Sequence, residues 1–267
     1  MANLRVVYNN SADRATLSAT AGVGTLVAAN LLTDIKSEVW RTAGTSATIT
    51  LTWTNAELVG CVALPFCNLT STATIRVRGY TNAADASPVV DTGTKLACPV
   101  GTGVVPAGVN SYAYAGASYA TAWLAQTSVK KIVIDLVDTA NTYIEAARVV
   151  AGAYWTPVNN AEYGVQLTMV DTSRHERSDA GDLRTERGYM NKKINLDLSV
   201  MPAEDRNVIW SIARNGMSKP MFLSLTPEIS DATEEQTYTL YGKLTQQSNI
   251  RYQFANQFNT SIELEEI

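Results

Sequence analysis

The residues able to carry chemistry are few and scattered. A nucleophile needs a base that titrates near neutrality, and the only histidine in 267 residues, His175, stands between Arg174 and Glu176 in a charged stretch. The expectation for it is a solvated side chain. Its neighbours Asp171 and Asp179 do not supply the nitrogen or sulfur donors that a firm zinc site uses. Cys61, Cys67 and Cys98 lack the two-residue spacing of a zinc knuckle or redox pair, and read as buried free thiols. Acids gather at Asp231, Glu234 and Glu235 and at Glu263, Glu265 and Glu266, but in a turn and at the chain end, where solvated charge is expected rather than a pair flanking a scissile bond. Gly22, Gly24, Gly101 and Gly103 lack the strand, turn and helix context that cradles phosphate. The sequence therefore predicts no catalytic residue, no metal site and no cofactor.

Two groups remain that could recognise something. Tyr112, Tyr114, Tyr119 and Trp123 lie in a low-charge stretch, 83–127, rich in Gly, Ala, Ser and Thr and expected to be a mostly irregular surface excursion. Their rings offer large rigid contact area to a sugar or a protein, or fold back over the body. Residues 171–193 are the stronger anomaly, with five acids and six bases in 23 positions. Exposed ion pairs are worth about 0–1 kcal/mol each, so the pattern does little for an isolated loop. Across an assembly, complementary charges fix register and reject wrong partners. The expectation is an arm reaching a neighbouring subunit through Arg174, Glu176, Arg177, Asp182, Arg184, Glu186 and Arg187.

The elements that must position these groups are mainly strands. Residues 4–8, 47–53, 58–64, 72–78, 129–137 and 144–154 are rich in β-branched or aromatic residues, as are 165–170, 194–200, 221–225, 238–244, 250–254 and 260–264. One helix is predicted over 202–215, with Pro202 at its first position, Glu204 and Asp205 in its first turn, and Gly216 as the stop. An apolar strand gives way to Pro157, Asn159 and Asn160, which places the boundary between two β-rich domains, 1–158 and 159–267. Ten Lys and Arg balance ten Asp and Glu before Val165, so the net charge of -4 belongs to the second half. No basic stripe suits nucleic acid, no apolar run is long enough for a membrane anchor, and Met1 to Arg5 lack the order of a secretory signal. Synthesis in a cytoplasm is expected.

Asn30, Leu31, Leu32 and Asp34, then Val39, Trp40 and Arg41, then Asn68, Leu69 and Thr70, then Val77, Arg78, Gly79 and Tyr80 resemble the galactose-binding-like jelly rolls of tailed-bacteriophage proteins. Arg148, Gly152, Tyr154, Trp155 and Pro157 resemble the close of such a domain, so the likeness covers most of 1–158. The second half is similar to tail-tube-like and distal-tail domains, through the charged arm ending in Arg187 and Gly188, the helix before Gly216, Lys219 with Pro220, Pro227, Leu240 with Tyr241 and Gly242, and Glu265 with Glu266. The resemblance implies a structural virion protein of the tail tip or baseplate. It would form a cyclic ring, three-fold or six-fold, with other tail proteins as neighbours. The alternative it leaves is a host-glycan reader using Trp40, Arg41, Tyr112, Tyr114 and Tyr119; a cell-wall hydrolase ranks third.

Overall fold

Alternation of β-branched and polar residues, as in 48–53 and 74–78, puts one side of each strand in a core and the other in water. The computed structural model describes residues 3–99, 118–215 and 217–267, so Tyr112, Tyr114 and Gly216 lie outside the described residues. Its strands begin with β1 (Arg5–Val7), β2 (Thr16–Ala19), β3 (Trp40–Arg41), β4 (Ser46–Cys67), β5 (Thr74–Tyr80), β6 (Val90–Asp91), β7 (Lys95–Leu96), β8 (Ser118–Val137), β9 (Glu145–Ala146) and β10 (Val150–Gly152). There follow β11 (Gln166–Asp171), β12 (Arg174–Arg177), β13 (Leu183–Glu186), β14 (Met190–Met201), helix α1 (Ala203–Asn215), β15 (Met221–Ser224), helix α2 (Ala232–Thr237), β16 (Thr239–Leu244), β17 (Arg251–Phe254) and β18 (Gln257–Glu266). The protein is mainly β, with the expected helix in its second half and a short second one, α2, that was not expected.

The first sheet has the order β3-β9-β4-β8-β5-β6, with β2 and β10 also on β4 and β7 on β5. The stretches 47–53 and 58–64, expected as two strands, are one, because β4 bends instead of turning. Its ladder with β8 shifts register between Thr52 and Glu57, Val59 and Cys61, and Leu64 and Cys67. Such bulges let long strands bend, so the sheet folds over a single core. In that core Ile49, Leu51, Ile75 and Ile134 from one half meet Val62, Leu64, Ala122 and Val149 from the other. The expected strand 144–154 is likewise split into β9 and β10. Part of the excursion 83–127 is ordered as β6, β7 and the first half of β8, where Tyr119 and Trp123 sit inside a strand.

The second sheet runs β1-β15-β16-β18-β14-β11, with β17 on β18. Its first strand is a surprise. β1, expected within the first domain, pairs antiparallel with β15, Arg5 opposite Ser224 and Val7 opposite Phe222. Pairing partners are a tertiary choice that local propensity does not encode. Leu4 and Val6 then join Ile194, Leu196, Ile209, Ile212, Leu240 and Leu264 in the second core. Helix α1 covers this sheet. Asp205 of its first turn is buried and ties down the connection after the first sheet, accepting from Trp155 Nε1 at 3.0 Å and Val158 N at 2.9 Å.

Candidate functional site

The charged arm is a hairpin, β12 against β13, with every residue of both strands exposed. It continues the β11–β14 pair outward past an interruption. There Tyr189 N donates to Thr172 Oγ1 at 2.9 Å, Gly188 N to Ser173 Oγ at 3.0 Å, and Ser173 N to Asp171 Oδ1 at 2.8 Å. The bonds from Ser173 hold the Asp171 carboxyl below its ordinary range. Gly188 is required here, since a Cβ would meet the Thr172 carbonyl carbon at 2.5 Å. The tip closes through Gly181, whose φ of 87° is left-handed, and Arg177 donates to its carbonyl at 2.9 Å.

Register decides what the arm displays. Arg174 stands opposite Glu186 and Glu176 opposite Arg184, so one face carries two opposed charge pairs in alternating order. The other face carries His175 opposite Thr185, their Nδ1 and Oγ1 3.0 Å apart, and Arg177 opposite Leu183. Asp182 sits at the tip side and Arg187 at the root, both exposed. Lys192, expected with this arm, is instead buried in β14. Its Nζ donates to the carbonyls of Thr239 at 3.1 Å and Gln236 at 3.4 Å, and lies 4.6 Å from the Tyr119 ring. Burial lowers the Lys192 pKa, and nearby Glu266 opposes that shift.

Of the residues expected to stack on a sugar, Trp40 and Tyr119 cannot. Trp40 is 0% exposed and donates from Nε1 to Thr20 O at 3.0 Å. Tyr119 is 1% exposed, and its hydroxyl donates to Glu266 Oε1 at 2.5 Å. The cause in both cases is position in the sheet, which turns these side chains inward. Arg41 remains partly exposed, but it is ion-paired with Glu145 and lies 4.3 Å over the Tyr143 ring. Tyr112 and Tyr114 lie outside the described residues. Acids expected in water also differ: Glu266 is buried, while Glu235, pushed up by burial, accepts from Trp123 Nε1 at 2.8 Å.

These groups form a junction between the two sheets. Phe66, Tyr119 and Trp123 pack with Phe222 and Tyr241. Beside them Gln236 bonds the Tyr119 backbone twice, accepting from its N at 3.2 Å and donating to its O at 2.6 Å. A second polar cluster is built on Arg148, whose side chain is 3% exposed. Its NH2 donates to Asp13 Oδ1 at 2.6 Å, and its Nε lies 3.0 Å from Tyr241 Oη and 3.2 Å from Asp34 Oδ1. Tyr241 Oη in turn donates to Asp34 Oδ1 at 2.9 Å. Burial raises the Asp13 pKa despite this arginine.

The Arg148 cluster backs a cleft of about 620 Å³ at the junction. Tyr8, Asn9, Asp13, Asp34, Lys219 and Tyr241 are among its walls. The volume lies in the range of small-molecule sites. Two carboxylates held by one buried guanidinium present fixed hydrogen-bond acceptors there.

Sequence reasoning missed Glu266, Lys192 and Arg148, although a signal was present. Glu266 falls on the inward phase of Ile262 and Leu264, and Lys192 on that of Ile194, Leu196 and Leu198. Arg148 is the lone charge in an apolar run from Ala146 to Ala151.

No family model and no curated protein matches the sequence. Solved structures do. A chitosan-binding module of a chitosanase/glucanase from Paenibacillus sp. IK-5 is 13% identical, over 54% of this chain and 99% of that one, with a TM-score of 0.39. A CBM32 module of Clostridium perfringens, in complex with GalNAc-β-1,3-galactose, is 10% identical over 54% of this chain and 100% of that one, with a TM-score of 0.40. A fucose binding module of Streptococcus pneumoniae is 12% identical over 54% and 94%, with a TM-score of 0.36. All three are carbohydrate-binding modules, and none is a phage tail protein.

Proposed function

We propose that this chain is a non-enzymatic structural protein of a tailed-bacteriophage virion. It is made in the host cytoplasm and assembles as a three-fold or six-fold cyclic ring in the tail tip or baseplate, beside other tail proteins. The observation that carries the reading is the β12–β13 hairpin, whose strands, among the described residues, pair only with each other and are exposed throughout. A two-stranded hairpin alone is marginal in water, so such an arm is a segment that gains its stability from a neighbour. Its alternating charges suit the repeated head-to-tail contact of a ring, where the same residues meet the same partners around the axis. Sedimentation velocity tests this. The full chain is expected as a closed oligomer, and a variant with 174–186 replaced by Gly-Gly as a monomer. An intact ring in the shortened variant, or after Arg184→Glu with Arg187→Glu, refutes the arm's role.

Glycan binding, which the names of the similar modules carry, is a second reading. What favours it in this chain is the junction cleft, with carboxylate, amide and ammonium groups among its walls. These are the groups that hydrogen-bond sugar hydroxyls, and the partly exposed Tyr8 adds ring surface. A glycan array probed with the full chain is expected to give binding that Asn9→Ala with Lys219→Ala removes. No binding to any glycan removes this reading and leaves the first intact.

A further inference from the structure

Cys67 and Cys98 are 31 residues apart in sequence, yet their Sγ atoms are 3.8 Å apart. Both are 0% exposed and belong to the core of the first sheet, whereas Cys61 packs in the junction cluster. Each thiol is held by fixed backbone. Cys67 ends β4 and pairs with Ser118 of β8 and Ala146 of β9. Cys98 follows Ala97, whose N donates to Ala73 O at 2.8 Å and whose O accepts from Thr121 N at 3.2 Å. A disulfide needs its sulfurs about 2.05 Å apart, so closing the bond must draw the two side chains together from van der Waals contact.

We propose that Cys67 and Cys98 are a redox modification site, closed to a disulfide by a peroxide when the chain meets oxidising surroundings. Hydrogen peroxide is small and uncharged, which suits a buried pair reached through local opening. The Cys67 thiolate sulfur attacks one peroxide oxygen and the O–O bond breaks. Cys67 becomes a sulfenic acid and the departing hydroxide takes a proton to leave as water. The Cys98 sulfur then attacks the Cys67 sulfur, the S–O bond breaks, and a second water leaves with the Cys98 proton. Two thiols have lost two hydrogens and one peroxide has become two waters.

The surroundings divide the roles. Burial disfavours both thiolates, but hydrogen bonds from Cys98 and from the backbone at Leu69 and Ala120 bring Cys67 below its ordinary range. Burial and the Cys67 charge raise Cys98. These opposed directions favour Cys67 as the attacking sulfur, and the Cys98→Ser variant reads which sulfur peroxide meets first. The closed bond would fasten the segment carrying β5, β6 and β7 to the β4–β8 pair, a constraint that acts mainly on the unfolded chain. The inference is independent of the arm and of the cleft.

The test uses the full chain, treated with hydrogen peroxide and then alkylated in denaturant. One alkylatable thiol in place of three is expected, with a mass lower by two hydrogens and a Cys67–Cys98 peptide pair. A thermal midpoint raised by on the order of 5 °C, and restored by a thiol reductant, should accompany it. Cys61→Ser should behave as the parent chain does. Cys98→Ser should stop at a sulfenic acid that dimedone traps. Three alkylatable thiols after peroxide treatment, both in buffer and in sub-denaturing urea, overturn the proposal, as does a crosslink through Cys61.

Discussion

Arg148 holds Asp13, Asp34 and Tyr241 from a position almost without solvent. Removing one member of a fully buried pair typically costs about 3–5 kcal/mol, and screening reduces this where the carboxylates keep 47% and 36% exposure. Arg148→Met should therefore destabilise the chain by about 2 kcal/mol in urea unfolding, with the m-value unchanged. Asp91 shows the opposite regime, at the surface. Arg76, which bonds both its oxygens, brings its pKa down to about 2 from 3.8. A depressed carboxyl contributes stability that is present above pH 3.8 and is lost as pH falls toward 2. An NMR titration of Asp91 should show this midpoint, and Arg76→Gln should return it toward 3.8. Asp91→Asn should flatten the acid slope of stability in that same window.

At the scale of elements, the arm is separable from the body. In chain diluted to monomer, trypsin should cut first at Arg177 and Arg184, leaving a nicked chain whose thermal midpoint matches that of the intact monomer, because every residue of the two strands is exposed. Gly188→Ala acts at the arm's root. With a Cβ 2.5 Å from backbone, the root must shift, at a cost of about 1–3 kcal/mol that hydrogen exchange at Thr172 and Tyr189 would report. The charge pattern made this arm legible from sequence, since Arg174 to Arg177 and Leu183 to Glu186 contain no apolar face to bury. Helix α1 was legible from Pro202, its first-turn acids and the Ile209 and Ile212 stripe. Trp40 and Tyr119 do not serve the expected glycan platform because aromatic type says nothing of direction. Tyr119 is the second residue of β8, and the strand's phase and a partner 147 residues away, Glu266, turn its hydroxyl inward.

At the scale of the molecule, the junction joins the two sheets through Phe222, Tyr241, Gln236 and Glu266, so calorimetry of the monomeric variant with 174–186 replaced should show one transition with equal calorimetric and van't Hoff enthalpies. Residues 159–267 expressed alone should aggregate, because the β15 edge then has no β1 to cover it. That missing cover has a temporal side. During synthesis β1 leaves the ribosome roughly two hundred residues ahead of its partner, and domains generally fold in order as they emerge. The first sheet can finish while β1, bridged on one side to Trp155, still waits with its β15 edge open. The step that seals the molecule is thus a meeting of its earliest and its late-made segments, and a pause in translation before Met221 would lengthen the interval in which the waiting strand is open to chaperones.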